Sequence, residues 1–344
     1  MLCVSSCIKE EPRAVHAFYY WKNNQYGFSG QEEALMRSTK TEKLYVKFFE
    51  VSPDLLFTAI PTAKTKLKPS YDRYERKKDS IQMELEIIPT VFIKTEALLN
   101  LSKPKLDSLA DNIVFLVGKY YQRFEHQKRT KGWEEIQLDC DWTVNTKENY
   151  FYLLKKVKEF SKKKISCTLR LYPYKYANKM GVPPVDRAML MCYNLISPLG
   201  NENKNSILDL KELEAYLKGV ENYPLALDIA LPIFYWMQLY QNQSFVGLLP
   251  PAEVDLLSDL KEMKPMWYRV TKDRVVGTHY LIEGDDLKIE RLSAEEIIGA
   301  IALIEKYISL SGETTIALFH LDDNNLKNFD NESINSFYSS FFRK

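Results

Sequence analysis

Along the chain, short runs of aromatic and β-branched residues alternate with longer stretches in which apolar residues recur every three or four positions. The runs predict strands at Ala14 to Trp21, Lys43 to Val51, Glu84 to Ile93, Glu135 to Asp141, Ile165 to Leu171, Ala188 to Tyr193, Leu225 to Phe234 and Thr314 to Leu321. The periodic stretches predict helices at Gln31 to Ser38, Leu106 to Gln127, Asn149 to Lys162, Leu208 to Leu217 and Ala294 to Ile308. In the longest of these, Leu109, Ile113, Leu116, Val117 and Tyr120 mark one buried stripe. Repeated strand–helix order implies a parallel sheet with helices outside it. Eight such strands favour closure into a (β/α)8 TIM barrel over an open doubly wound sheet. The 344 residues suffice for one barrel of roughly 250 residues with insertions.

Two stretches break the pattern. Lys64 to Ser80 is charged and interrupted by proline, and reads as a loop-rich excursion. Between the seventh strand and the last helix come Pro250 and Pro251, short segments at Met266 to Val276 and Gly277 to Ile282, turn residues at Gly284 to Asp286, and a strand at Leu287 to Leu292. This predicts a small α+β insertion over 246–292. Strands so few and short need other surface to pack on, so the expected place is beside the barrel mouth, where loops line active sites. Residues 14–344 then form the barrel, and residues 1–13 a tether.

Composition narrows the chemistry. Lys plus Arg nearly cancels Asp plus Glu, leaving a net charge of +1, so no global field favours nucleic acid. The lysines at Lys155, Lys156, Lys158 and Lys162 to Lys164 read as a solvated helix face and end. No Gly-rich phosphate loop, Ser-His-Asp spacing or metal-ligand cluster occurs, and the sequence calls for no cofactor and no metal. Tyr is abundant, at 22 residues, which suits sugar stacking as well as ordinary cores.

The five cysteines fall into two groups. Cys140, Cys167 and Cys192 sit inside apolar runs and read as buried small hydrophobes. Cys3 and Cys7 lie at the start of the chain, where Val4-Ser5-Ser6-Cys7 resembles a bacterial lipobox. The apolar region of a signal peptide spans roughly 7 to 15 residues, so Met1 to Ser6 would be only the tail of one. Ile8-Lys9-Glu10-Glu11 behind the cysteine resembles the signal that sends some lipoproteins to the cell surface. This resemblance implies acylation at Cys7, a lipid anchor in the cell envelope, and exposure on the outer membrane. The alternative is a disordered tail. No segment approaches the roughly 18 apolar residues of a membrane span.

The stretch richest in candidate chemistry is Glu135 to Thr143, E-I-Q-L-D-C-D-W-T. On a strand, Asp139 and Asp141 point to one face and Cys140 and Trp142 to the other. In a barrel the aspartates' face is the interior, at the carboxyl end where such folds keep their sites. Two carboxylates so placed are expected to share a proton, raising one pKa and making Asp141 a candidate acid. The alternative is a purely structural, hydrogen-bonded pair.

Several motifs together resemble one family. Asp139-Cys140-Asp141-Trp142-Thr143 resembles the D-x-D-W-E motif ending the fourth strand of the chitinase-like glycoside hydrolases of family eighteen, and Gly132-Trp133 resembles the approach to it. Met191-Cys192-Tyr193-Asn194 resembles the family's M-x-Y-D, and Ala230-Leu231-Pro232-Ile233-Phe234-Tyr235 its G-x-P-x-Y at strand seven. The resemblance covers Ala14 to Asp323 and implies a glycan ligand. Tyr193 would then reach the site from strand six, and Tyr235 and Trp236 would serve as sugar platforms at the mouth of strand seven. Asp322 and Asp323 follow strand eight, and the aromatic residue expected at its end is Phe319 or His320.

The departures bear on activity. In the family, the glutamate ending the strand-four motif protonates the leaving oxygen while the sugar's acetamido group acts as nucleophile. Here that position is Thr143, which cannot serve as an acid at neutral pH. Loss of a positioned acid costs on the order of 10² to 10⁴ in rate. The family's Asp in M-x-Y-D is Asn194, and the glycine before the proline is Leu231. Two readings follow. One is a surface-anchored glycoside-hydrolase-like barrel that processes a carbohydrate through Asp139 and Asp141. The other is a catalytically inactive lipoprotein that binds sugar or serves a structural or interaction role.

Overall fold

The computed structural model describes residues 11–22, 27–54, 58–62, 85–125, 133–199, 204–249, 258–277, 279–310 and 312–343. Cys3 and Cys7, the Lys64 to Ser80 excursion, Gly132 and the Pro250-Pro251 pair lie outside them.

The strands are, in chain order, β1 (Arg13–Tyr20), β2 (Lys43–Asp54), β3 (Thr58–Thr62), β4 (Glu86–Ile93), β5 (Glu135–Asp139), β6 (Lys164–Arg170), β7 (Arg187–Met191), β8 (Ala226–Pro232), β9 (Trp236–Gln241), β10 (Ser244–Leu249), β11 (Leu260–Lys264), β12 (Trp267–Val270), β13 (Arg274–Val276), β14 (His279–Leu281), β15 (Asp286–Glu290) and β16 (Glu313–Phe319). The α-helices are α1 (Gly30–Ser38), α2 (Lys103–Glu125), α3 (Lys147–Ser161), α4 (Leu171–Lys175), α5 (Ala177–Met180), α6 (Leu210–Leu217), α7 (Ala294–Tyr307), α8 (Asp323–Leu326) and α9 (Asn331–Ser339).

Eight strands, in the order β1-β2-β4-β5-β6-β7-β8-β16, pair in parallel, and β16 returns to β1, so the sheet closes as a (β/α)8 barrel. A strand in such a barrel is buried on both faces, which is why β1 reads as an almost unbroken apolar run. Along it, Tyr19 faces the barrel axis and stacks on Tyr45 at 5.0 Å, whereas Phe18 faces out to meet Tyr338 of α9. In β2 the register shifts between Lys47 and Phe49. This bulge turns both Phe48 and Phe49 outwards against Tyr120 of α2, leaving Lys47 in the interior. β3 pairs antiparallel with β2, outside the closed set.

Sequence-local signals fix the helix starts. Ser29 with Glu32, and Ser293 with Glu296, form capping boxes for α1 and α7, and Asp209 caps α6.

Among the described residues, the insertion between β8 and α7 carries two further sheets. β10-β9-β15-β12-β11 form one antiparallel sheet, and β13 and β14 a separate hairpin. The sheet begins at Trp236, ahead of the Val246 at which the sequence pattern would start it. β9 follows β8 so closely that the apolar pattern runs from one into the other. Tyr235, Met237, Leu239, Leu249, Val270, Leu281, Leu287 and Ile289 form its own small core. The segment after β7 ties it to the carboxyl end of the barrel: Asn205 Nδ2 donates to the Arg291 carbonyl at 2.7 Å, and the Ser206 amide to Glu290 Oε1 at 3.1 Å.

Candidate active site

The barrel interior is layered from its amino end upwards. At the base, Arg187 of β7 donates to both carboxylate oxygens of buried Asp228 on β8, at 2.9 and 2.6 Å. Ser166 donates to Glu135 at 2.5 Å. In the middle, the Tyr19 hydroxyl donates to Gln137 Oε1 at 2.7 Å. At the top, Asp139 is the last residue of β5, and Thr168 of β6 donates to its Oδ1 at 2.6 Å. Glu135, Gln137 and Asp139 thus share the interior face, as the strand period of two requires.

Burial dominates the Asp139 carboxyl and lifts its pKa to about 7. The Thr168 hydrogen bond, Arg170 and Lys47 pull it down, and Asp141 pushes it up. The two aspartates do not meet as a hydrogen-bonded pair. β5 ends at Asp139, so the alternation does not carry Asp141 inwards: its side chain is 61% exposed and lies 3.7 Å from Arg170 Nε. The Asp141 carbonyl accepts from Thr95 Oγ1 at 2.7 Å, and Trp142 faces the barrel wall, stacked on Tyr150 of α3.

Thr143 is exposed and engaged in the turn into α3. Its amide donates to Thr146 Oγ1 at 2.9 Å, and the two hydroxyls are 3.3 Å apart. Tyr193 is buried and points into the same mouth as Asp139, whose charge it feels, and burial pushes its phenol up. Asn194 has a left-handed backbone (φ 54°), and its carbonyl accepts from Arg170 Nη2 at 3.1 Å. Its side-chain Oδ1, like Gln137 Nε2, is buried with no hydrogen-bond partner.

An aromatic pit lies at the same end of the barrel as Asp139. Phe319, the last residue of β16, lies 5.3 Å from Tyr193, 5.5 Å from Tyr19, 5.8 Å from Trp21 and 5.8 Å from Phe234. Trp21 also meets Phe92 of β4 at 6.3 Å, and Phe234 meets Trp236 at 5.5 Å. Trp21, Phe92, Trp236 and Phe319 are each only partly buried. Of the two candidates at the end of the eighth barrel strand, Phe319 lies among these rings, and His320 follows it toward Asp322. The Trp236 indole N–H donates to Glu290, a buried carboxylate that also accepts from Ser206 and pairs with Lys288 at 2.6 Å.

Tyr235 is turned away from this pit. It packs into the insertion core, with the Arg291 guanidinium 4.8 Å above its ring. Asp322 belongs to a neighbouring charged cluster with Lys22, at 3.1 Å, and Glu32. Burial alone would raise the Asp322 carboxyl; Lys22 and the Asn324 amide reverse this and hold it below the usual range. His320, beside it, is pushed down to about 4 by burial and is neutral at pH 7. Asp323 accepts from Ser29 Oγ.

Sequence reasoning missed Lys47, Arg170 and Thr168. Lys47 is 4% exposed, with its ammonium 5.4 Å from the centre of the Trp21 ring. Burial lowers its pKa, against the pull of Glu50 and Asp139. A lysine inside the run K-L-Y-V-K-F-F was the signal available, because a charge there is rarely idle. Cys140, Cys167 and Cys192 are buried free thiols in the barrel wall.

No protein-family profile matches the chain, and no curated protein matches it in sequence. Its fold is that of the chitinases and chitinase-like proteins of family eighteen. A chitinase from Chromobacterium violaceum superposes with a TM-score of 0.55 at 13% identity, over 96% of this chain and 100% of that one. The C-terminal domain of a chitinase-annotated protein of Desulfitobacterium hafniense gives 0.54 at 9% identity, with the same coverage. YKL-39, solved in the presence of chitooligosaccharides, gives 0.50 at 8% identity over 96% of this chain and all of that one.

Proposed function

We propose that this chain is a divergent chitinase-like barrel that binds an N-acetylated glycan in the pit at the Asp139 end of the barrel and lacks the family's hydrolytic step. The observation that carries this reading is the gathering of four partly exposed rings, Trp21, Phe92, Trp236 and Phe319, around a polar floor at the carboxyl end of the barrel. Flat apolar walls with a few fixed polar groups match a sugar's alternating apolar faces and hydroxyl edges. Hydrolysis needs an acid where Thr143 stands, and Thr143 is tied into the start of α3.

One observation favours a second reading. With a pKa of about 7, Asp139 is available as a proton donor near neutrality, so an altered hydrolase working through Asp139 with Asp141 keeps a physical basis. Both readings meet in one experiment: Thr143→Glu restores a carboxyl at the family position, and hydrolysis of an aryl N-acetylglucosaminide is compared with that of the parent. Gain of turnover supports the lost-acid reading. Turnover already present in the parent and abolished by Asp139→Asn supports the second.

The chain is further proposed to be a lipoprotein acylated at Cys7 and displayed on the outer membrane of the cell envelope, on the strength of Val4-Ser5-Ser6-Cys7 and the acidic residues behind it. Labelling with a fatty-acid probe should mark the natural product and not a Cys7→Ala version. Equal labelling would contradict the anchor.

A further inference from the structure

Two cations stand over the floor of the pit without a full complement of anions. Lys47 projects inwards from β2 and is nearly completely buried, yet among the described residues it makes no ion pair or hydrogen bond, and its ammonium lies over the Trp21 ring. Arg170 projects from β6 on the other side of Asp139. It gives Nη2 to a backbone carbonyl and, among the described residues, its one carboxylate contact is a long one of 3.7 Å with the exposed Asp141. Asp139 lies within the electrostatic reach of both but pairs with neither, its Oδ1 being taken by Thr168. A buried ammonium balanced only by Glu50 and Asp139, with neither of which it pairs among the described residues, destabilises the fold, and a neutral sugar would leave it in that state.

Resting on the glycan-binding reading, we infer that the pit is built for an acidic glycan, with a sugar carboxylate seated between Lys47 and Arg170 against the Trp21 and Phe319 rings. Arg170 offers a planar fork suited to a carboxylate, and Lys47 a point charge whose dry surroundings strengthen the attraction. Sugars carry carboxylates in two common forms, a uronic acid and an ether-linked lactyl acid, and either would satisfy the same pair of cations.

The test is calorimetric binding of matched oligosaccharides to the intact protein. One arm uses a uronate-containing oligomer, the other a lactyl-bearing N-acetylhexosamine oligomer, each as the free acid and as its neutral amide, beside an unmodified N-acetylglucosamine tetramer. In at least one arm the acid should bind about tenfold or more tightly than its amide, as for a hydrogen bond to a charged group. Lys47→Met should bring that ratio to within about twofold, and Arg170→Gln should reduce it, circular dichroism confirming that each variant folds. Equal binding of acid and amide by the parent, or an unchanged ratio in Lys47→Met, would overturn the inference. Binding of the neutral tetramer alone would overturn it while leaving the glycan reading intact, whereas no binding of any oligomer would overturn both.

Discussion

Replacing Glu290 by alanine should destabilise the protein more than any other single change in the insertion. Glu290 and Lys288 have side chains 0% and 1% exposed, paired at 2.6 Å on β15. The same carboxylate accepts from Ser206 Oγ, the Ser206 amide, Trp236 Nε1 and Gln238 Nε2. Removing it leaves the Lys288 ammonium buried without that carboxylate and strips several donors of their acceptor. Breaking one side of a buried pair costs about 3 to 5 kcal/mol. At roughly 2 °C per kcal/mol for a large domain, this is a fall in Tm of about 6 to 10 °C. Urea melts followed by tryptophan fluorescence should show the loss. The double variant Lys288→Met, Glu290→Gln should recover part of it, because the stranded charge is gone. A Glu290→Ala midpoint shifted by less than about 1 kcal/mol would refute the reasoning, as would a double variant worse than the sum of its parts.

Other expected outcomes concern the barrel itself. Carbon NMR of labelled aspartate should find one carboxyl titrating near pH 7, absent in Asp139→Asn; titration of every aspartate below about 4.5 would contradict its burial. Because the folded pKa of Asp139 lies above its unfolded value, its stabilising contribution is complete below about pH 4 and is lost as pH rises to about 7. Asp139→Asn should therefore gain on the parent across that window, and a constant difference between the two would count against it. Arg187→Met at the barrel base should cost about 3 to 5 kcal/mol by stranding buried Asp228, with glycan affinity unaltered in the folded fraction. Phe319→Ala should weaken oligosaccharide binding by about tenfold, since it removes the ring at the centre of the pit; unchanged affinity would place the ligand elsewhere.

Barrel closure was legible because parallel strands buried on both faces leave dense apolar runs, and the helices between them carry a separate period. The site was harder to read. Asp139 follows from the alternation along Glu135, Gln137 and Asp139, but the alternation stops where hydrogen-bonded pairing stops, and Asp141 falls on the exposed side of that limit. Tyr235 and Trp236 are neighbours in sequence and part company in space, because a strand in a second sheet begins there and sends alternate residues to different cores. The β2 bulge that admits Lys47, and the Glu290 carboxylate that holds Trp236 from 54 residues away, are long-range matters that no local pattern announces.

Sugar binding in the aromatic pit at the carboxyl end of the barrel would be reported directly by the tryptophan indoles. The protein has five tryptophans. Trp21 and Trp236 line the pit, whereas Trp142 is buried in the barrel wall, Trp133 lies before β5, and Trp267 is in the insertion sheet. In a nitrogen–proton NMR titration with an N-acetylglucosamine tetramer and its carboxylate-bearing counterparts, with indole signals assigned by single Trp→Phe changes, Trp21 and Trp236 should show saturable shifts while Trp133, Trp142 and Trp267 stay in place. Shifts confined to the other three, or none with any oligomer, would contradict it.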